Sequence, residues 1–107
     1  MNWRKSYAHL KLMVTIHSLA TGPGDIRKRL VDAHLIFHVL RREHFPEELQ
    51  SDWEWVMKEL TRFGPIYNSK GEQSIGTVQN TCNKIRNKTG IKIAKKLLDM
   101  YIYLENH

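Results

Sequence analysis

The sequence predicts an all-α fold, a compact bundle of about five helices in a single domain spanning residues 1–107. Apolar residues recur at spacings of three and four along most of the chain, which is the period of one face of a helix. Short segments rich in glycine and proline interrupt this pattern, and no alternating segment indicates a strand. With 107 residues, of which 41% are hydrophobic, the chain can bury a core without disulfides or metal.

The first two helices are separated by a glycine- and proline-containing break. The first covers about residues 2–20 and ends at the segment 21–24, Thr-Gly-Pro-Gly. Asp25 is placed to cap the second helix, which we expect to continue to about Arg42. Its core-facing seam is Ile26, Leu30, Ala33, Phe37 and Leu40. A second apolar face, made of Val31, Leu35 and Val39, predicts that this helix is either central in the bundle or part of an oligomer interface.

The third helix begins near Pro46, which suits a first turn, and ends at Gly64-Pro65. Its seam is Leu49, Trp53, Val56, Leu60 and Phe63. Residues 64–74 then form the longest polar connection in the chain. Connections of this length in small domains are often mobile or functional, so we expect a loop of one of these kinds here.

The last two helices follow this loop. Ser74 can cap a fourth helix, whose inward face is Ile75, Val78, Cys82 and Ile85. Thr89-Gly90 is expected to end it, because glycine weakens a helix. A fifth helix then covers about residues 91–105 and presents Ile91, Ala94, Leu98 and Tyr101 on one side.

The charge distribution provides the main indication of function. Residues 84–96 carry six Lys or Arg and no acid, within a chain of formal net charge +6. On the predicted fourth helix, three asparagines share a face with two lysines, and further lysines follow the expected break. Lysine neutralises phosphate, and asparagine contacts phosphate or base edges. We therefore predict that nucleic acid, another polyanion or an acidic protein binds at Asn80, Asn83, Lys84, Asn87, Lys88, Lys92, Lys95 and Lys96. The alternative is a solvated face that keeps the protein soluble.

One short segment points in the same direction. Residues 74–78, Ser-Ile-Gly-Thr-Val, resemble the opening of the recognition helix in some helix-turn-helix regulators. Only these five residues match, which is too short a resemblance to identify a family. The loop before this segment is longer than the three- or four-residue turn of that motif, and the segment after it reads as a helix and not as a β-wing.

Three other features have a structural and a functional interpretation. Trp55 lies among acidic residues of the third helix, so it is either an anchor for a partner protein or covered by the chain itself. His34 and His38 have the one-turn spacing of metal ligands, but flanking arginines disfavour a cation, and we predict no metal and no cofactor. Cys82 lies on an apolar seam, where we expect it to pack and not to react.

The sequence therefore predicts a small, non-catalytic binding protein, a regulatory or accessory factor. The alternative is a protein–protein interaction module, possibly a homodimer, that uses Val31, Leu35 and Val39 or the Trp55 face. A single cysteine fits a reducing compartment, and the N-terminal apolar stretch is too interrupted for a signal peptide. No run approaches the ~20 apolar residues of a membrane span. We expect a soluble, cytoplasmic protein without membrane contact.

Overall fold

A computed structural model describes residues 2–107 and confirms a compact, mostly helical globule. These residues form five α-helices, one short 3-10 helix and a minor two-stranded hairpin. In chain order they are α1 (Tyr7–Thr21), α2 (Ile26–Phe37), the 3-10 helix (Arg42–His44), α3 (Glu47–Leu60), β1 (Ile66–Tyr67), β2 (Gln73–Ile75), α4 (Thr77–Lys84) and α5 (Asn87–Asn106).

The helices pack around one apolar core. Helix α5 contacts α1, α2 and α3, while α4 packs on α2 and α3. His9 near the start of α1 contacts Glu105 near the end of α5, whereas Ala20 at the other end of α1 lies beside Ile91, so the two helices are antiparallel. The fully buried side chains include Leu12, Leu30, Phe37, Leu60, Leu97 and Leu104. Burial of such side chains contributes about 1.5–3 kcal/mol each.

The helix starts follow from their capping residues. The Ser6 hydroxyl accepts the His9 backbone N–H, so α1 begins at Tyr7 and not near residue 2. Asp25 caps α2 as predicted, accepting the backbone N–H groups of Arg27 and Lys28. The Lys28 N–H and the Arg27 guanidinium lower the pKa of the Asp25 carboxyl.

Helix α2 ends at Phe37, five residues before the predicted end at Arg42. The chain turns there because Phe45 must reach the core, where its ring stacks on Trp53 at a centroid distance of 4.9 Å. Arg41 precedes the 3-10 helix, and its backbone N–H donates to Nδ1 of His44, the last residue of that helix. The prediction for the end of the second helix was therefore wrong.

Residues 66–75 form an antiparallel hairpin within the segment that the sequence predicted to be a loop without strands. Ile66 pairs with Ile75, and Tyr67 pairs with Gln73. The Asn68 side chain accepts the N–H groups of Lys70 and Glu72, and Gly71 takes a positive φ of 78° in the turn. The strands have only two and three residues, so they carry too little alternation to be recognised from sequence.

The boundary between α4 and α5 lies at Ile85-Arg86, whereas we predicted it at Thr89-Gly90. Gly90 lies inside α5 and is buried against α2. A Cβ atom there would be 3.0 Å from Ile26 Cγ2, so the missing side chain lets the two helices approach closely. Arg27 Nη1 donates to the Ile85 carbonyl at 3.3 Å and stabilises the junction between α4 and α5. Two residues of the predicted site, Asn87 and Lys88, therefore belong to α5 and not to α4.

Candidate polyanion-binding surface

Three lysines form a line along the outer face of α5, which we call the lysine row. Lys88, Lys92 and Lys95 are spaced by four and three residues, so they share one side of the helix. All three side chains are exposed. Within residues 2–107, no carboxylate lies within 4.0 Å of their ammonium groups. Asp99, one turn beyond Lys95, is the acid nearest to them along this face. The lysine row is therefore a net positive surface open to solvent.

The N-terminus of α5 adds to this positive potential. Arg86 and Asn87 are both exposed at the start of the helix, and the first turn contains no acid and no side-chain cap. Backbone N–H groups at a helix start have no partner within the helix, and the helix dipole is positive there. Lys88 lies in this first turn, so its charge and the helix dipole act on the same region.

The two remaining lysines of the predicted site have other surroundings. Lys96 Nζ lies 3.4 Å from Asp52 Oδ1 and 5.7 Å from the centre of the Trp55 ring. This lysine joins α5 to α3 and is not part of the lysine row. Lys84 lies at the end of α4 with its ammonium 5.0 Å from the centre of the Phe63 ring. It is exposed, but on a different helix from the lysine row.

The predicted face of three asparagines on one helix does not form. Asn80 is buried, and its amide donates to the Gly64 carbonyl at 2.7 Å. Thr81 next to it exchanges two hydrogen bonds with the Phe63 backbone, each 3.0 Å long. Asn83 is exposed and accepts a hydrogen bond from Gln79, whereas Asn87 belongs to α5. Asn80 therefore fixes the base of the hairpin on α4 and has no exposed group for a ligand.

A polar cleft of about 320 Å³ lies where the start of α2 meets α4, and Asp25, Arg27 and Cys82 are among the residues that line it. Its cations are paired internally, since Arg27 lies 3.0 Å from Asp25 and Lys28 lies 2.7 Å from Asp32. Cys82 lines the cleft, but burial raises the pKa of its thiol to about 11. The thiol is therefore neutral near pH 7 and is a poor nucleophile.

The residues predicted for protein interaction differ in their exposure. Val31 is partly buried against the core, while Leu35 is 70% exposed. Val39 lies beyond the end of α2 and is also exposed. Trp55 is partly buried, with Lys96 over its ring, so the chain itself covers part of this side chain. Of these four residues, only Leu35 retains a largely open apolar surface, while Val39 is 39% exposed.

His34 and His38 lie with their ring centres 5.9 Å apart. Burial, and to a lesser extent the neighbouring His38, lowers the pKa of His34. Within residues 2–107, no three His, Cys, Asp or Glu side chains are grouped so that they could hold a metal ion. In the same part of the chain, none of the helices has the length and apolar character that crossing a bilayer requires.

Comparison of the chain with protein-family models, with curated proteins and with solved structures gives no match.

Proposed function

We propose that this protein is a small, non-catalytic accessory factor that binds the phosphate backbone of nucleic acid through the lysine row. The observation that carries the proposal is the alignment of Lys88, Lys92 and Lys95 on one exposed face without carboxylate partners in the described part of the chain. The lysine row extends over about 10 Å along the helix axis. The three ammonium groups can therefore contact neighbouring phosphates of one strand.

The exposed groups around the lysine row extend the proposed contact. Arg86, Asn87 and Lys84 are all exposed near the start of α5. An amide can donate to a phosphate oxygen or contact a base edge, and each further cation adds an electrostatic contact. Lys96 and Asn80 do not belong to this set, because Asp52 and Gly64 already engage their polar atoms. Binding through lysines and phosphates is largely independent of sequence.

The proposal includes a cytoplasmic location, in agreement with the single buried cysteine. It also fits the neutral Cys82 thiol, which offers no activated nucleophile for catalysis. We infer a regulatory or accessory role because binding that is largely independent of sequence can support another factor on the same nucleic acid.

The test is a fluorescence anisotropy titration with labelled single-stranded RNA and duplex DNA. Three phosphate contacts on duplex DNA predict a slope of log K against log salt near −2.7, or roughly a 40-fold weaker affinity at 200 mM than at 50 mM salt. The double variant Lys88→Glu/Lys92→Glu should reduce the slope by about 1.8 and the affinity by more than about tenfold. Helical content by circular dichroism should not change, because both side chains are exposed.

A matched control variant distinguishes binding at the lysine row from attraction by the net charge of the protein. The variant Lys5→Glu/Lys58→Glu changes the net charge by the same amount at two exposed positions, on the N-terminal segment and on α3. It should retain most of the affinity, because its cations lie outside the lysine row. Equal losses in the two double variants would show that binding follows net charge alone, and no binding at 50 mM salt would exclude the proposed function.

A second candidate function, a protein–protein interaction module or homodimer, is favoured by the 70% exposure of Leu35. An apolar interface at Leu35 and Val39 would be insensitive to salt, unlike a phosphate contact. Light scattering of the wild-type protein and of Leu35→Ser would show whether this face holds a dimer.

A further inference from the structure

An apolar groove lies between α1 and α5, next to the lysine row. We call it the α1/α5 groove, and it has a volume of about 400 Å³. Its lining is almost wholly apolar and includes Ile16, Leu19, Ala20, Ile91, Ala94 and Leu98. Because α1 and α5 are antiparallel, the groove follows the direction of both helices. Ile26 at the start of α2 also lines the groove, near the Ile91 end of α5. An apolar groove between two antiparallel helices can accommodate a third helix.

Large apolar side chains continue this surface along α5. Ile91 is 58% exposed, Leu98 is 40% exposed and Ile102 is 46% exposed. They are spaced by seven and four residues, so they lie on one side of the helix. On α1, Met13 is 44% exposed and lies one turn before Ile16. Contiguous exposed apolar surface of this kind is typical of interaction sites.

Small and large side chains alternate along the lining of the α1/α5 groove. Ala20 of α1 is exposed and Ala94 of α5 is partly buried, and each contributes only a methyl group. Larger residues line the groove beside them, with Ile16 on α1 and Leu98 on α5. A leucine or phenylalanine from a docked helix could therefore insert between the two alanines and contact both walls.

Charge along the rim limits the kind of helix that fits. At about 100° per residue, Lys95 and Lys88 lie directly beside the exposed apolar side of α5. Lys95 is itself a lining residue, and no acid lines the groove. A helix seated there would place one flank against unpaired ammonium groups, so carboxylates on that flank are favoured and cations are repelled.

From these observations we propose that the α1/α5 groove docks an amphipathic helix of a partner protein, with apolar residues in the groove and Asp or Glu facing the lysine row. This is a second binding function beyond the proposed contact with nucleic acid. Both ligands use the same cations, and we expect them to compete.

The test uses two labelled helical peptides of about 18 residues with the same leucine face, one with glutamates and one with lysines along one flank. The glutamate peptide should bind at least about tenfold more tightly in fluorescence anisotropy at 100 mM salt. The variant Ile91→Ser/Leu98→Ser should weaken this binding about tenfold or more, because two apolar contacts are lost. The control Leu35→Ser/Val39→Ser removes two exposed apolar side chains outside the groove and should leave the affinity unchanged.

The same variants separate this proposal from the proposed function. Ile91→Ser/Leu98→Ser changes no charge, so it should retain affinity for RNA while losing the glutamate peptide. Equal affinity for the two peptides, or equal effects of the two serine variants, would overturn the docking proposal. It would also be overturned if light scattering showed a dimer that Ile91→Ser/Leu98→Ser dissolves, or if only phosphatidylserine vesicles and neither peptide bound through these residues.

Discussion

Replacing Asn80 with alanine tests whether this asparagine has a structural role or a ligand-binding role. Its buried amide donates to the Gly64 carbonyl at 2.7 Å and joins α4 to the segment that precedes the hairpin. Removing the amide loses one hydrogen bond, which contributes about 0.5–1.5 kcal/mol net. Because Gly64 is exposed, water can replace the lost donor at its carbonyl, so we expect the variant to lose about 0.5–1.5 kcal/mol of unfolding free energy.

Asn83→Ala is the matched control, because it makes the same chemical change one turn later on α4. Asn83 is exposed, and its side chain accepts a hydrogen bond only from Gln79 among the described residues. Exposed substitutions of this kind stay within about 0.5 kcal/mol. Urea unfolding followed by circular dichroism measures both variants, and the loss at Asn80 should lower the melting temperature by about 4 °C per kcal/mol.

Nucleic-acid affinity gives a second and independent measurement for the same pair. Below the unfolding transition, Asn80→Ala should bind RNA as the wild-type protein does, since its side chain does not reach the surface. If Asn80→Ala were as stable as Asn83→Ala and yet lost RNA affinity, the assignment of a structural role would be wrong. The original interpretation of Asn80 as a contact residue would then be restored.

Three further predictions concern single buried or paired groups. Because burial raises the pKa of Cys82 to about 11, iodoacetamide at pH 7.5 should alkylate the folded protein far more slowly than the urea-unfolded one, and mass spectrometry showing equal rates would contradict this. Gly90→Val should lower the free energy of unfolding in urea by about 1–3 kcal/mol, because even a Cβ atom at this position would lie 3.0 Å from Ile26 Cγ2. An unchanged unfolding midpoint would show that α2 can move away. The hydrogen bond from His9 lowers the pKa of Glu105, so the ionised carboxylate stabilises the fold at pH values above its ordinary pKa of 4.5. This stabilisation is lost as the pH falls through the lowered pKa. The difference in melting temperature between wild type and Glu105→Gln should therefore shrink from pH 7 to pH 3.

The sequence predicted the helical class correctly. On the fifth helix, the predicted apolar side includes Ile91 and Leu98, which are 58% and 40% exposed. The seams predicted for α2 and α3 are correct, because a period of 3.6 residues persists over both helices. The seam residues Leu30, Phe37, Trp53 and Leu60 are all buried. The structural role of a glycine could not be predicted from the sequence. Gly24 lies in the loop after α1 and has a positive φ of 79°, whereas Gly90 lies inside α5 and permits close packing of another helix. Local sequence does not distinguish a glycine that ends a helix from one that another helix contacts, because the contacting residue is distant in the chain.

The candidate site was harder to predict because side-chain partners come from other helices. Lys95 and Lys96 are adjacent in sequence, but they project about 100° apart around α5. Lys96 therefore meets Asp52 on α3, while Lys95 faces solvent at the rim of the α1/α5 groove. Asn80 and Asn83 differ in the same way, since only Asn80 turns toward Gly64.

The lysines on different sides of α5 have different surroundings, which also explains how an acidic helix and a basic surface coexist in one small domain. Helix α3 packs on the side of α5 that carries Lys96, so Asp52 neutralises that lysine. The lysine row lies on the outer face, between this contact and the exposed apolar side of Ile91 and Leu98, where no described carboxylate reaches it. Surface charges separated by more than a Debye length, about 8 Å at physiological salt, are largely screened from one another. Acidic groups on the far side of α3 therefore weaken the attraction of the lysine row for an anion much less than the overall charge count suggests, and charge reversal within the row should matter more than charge reversal elsewhere.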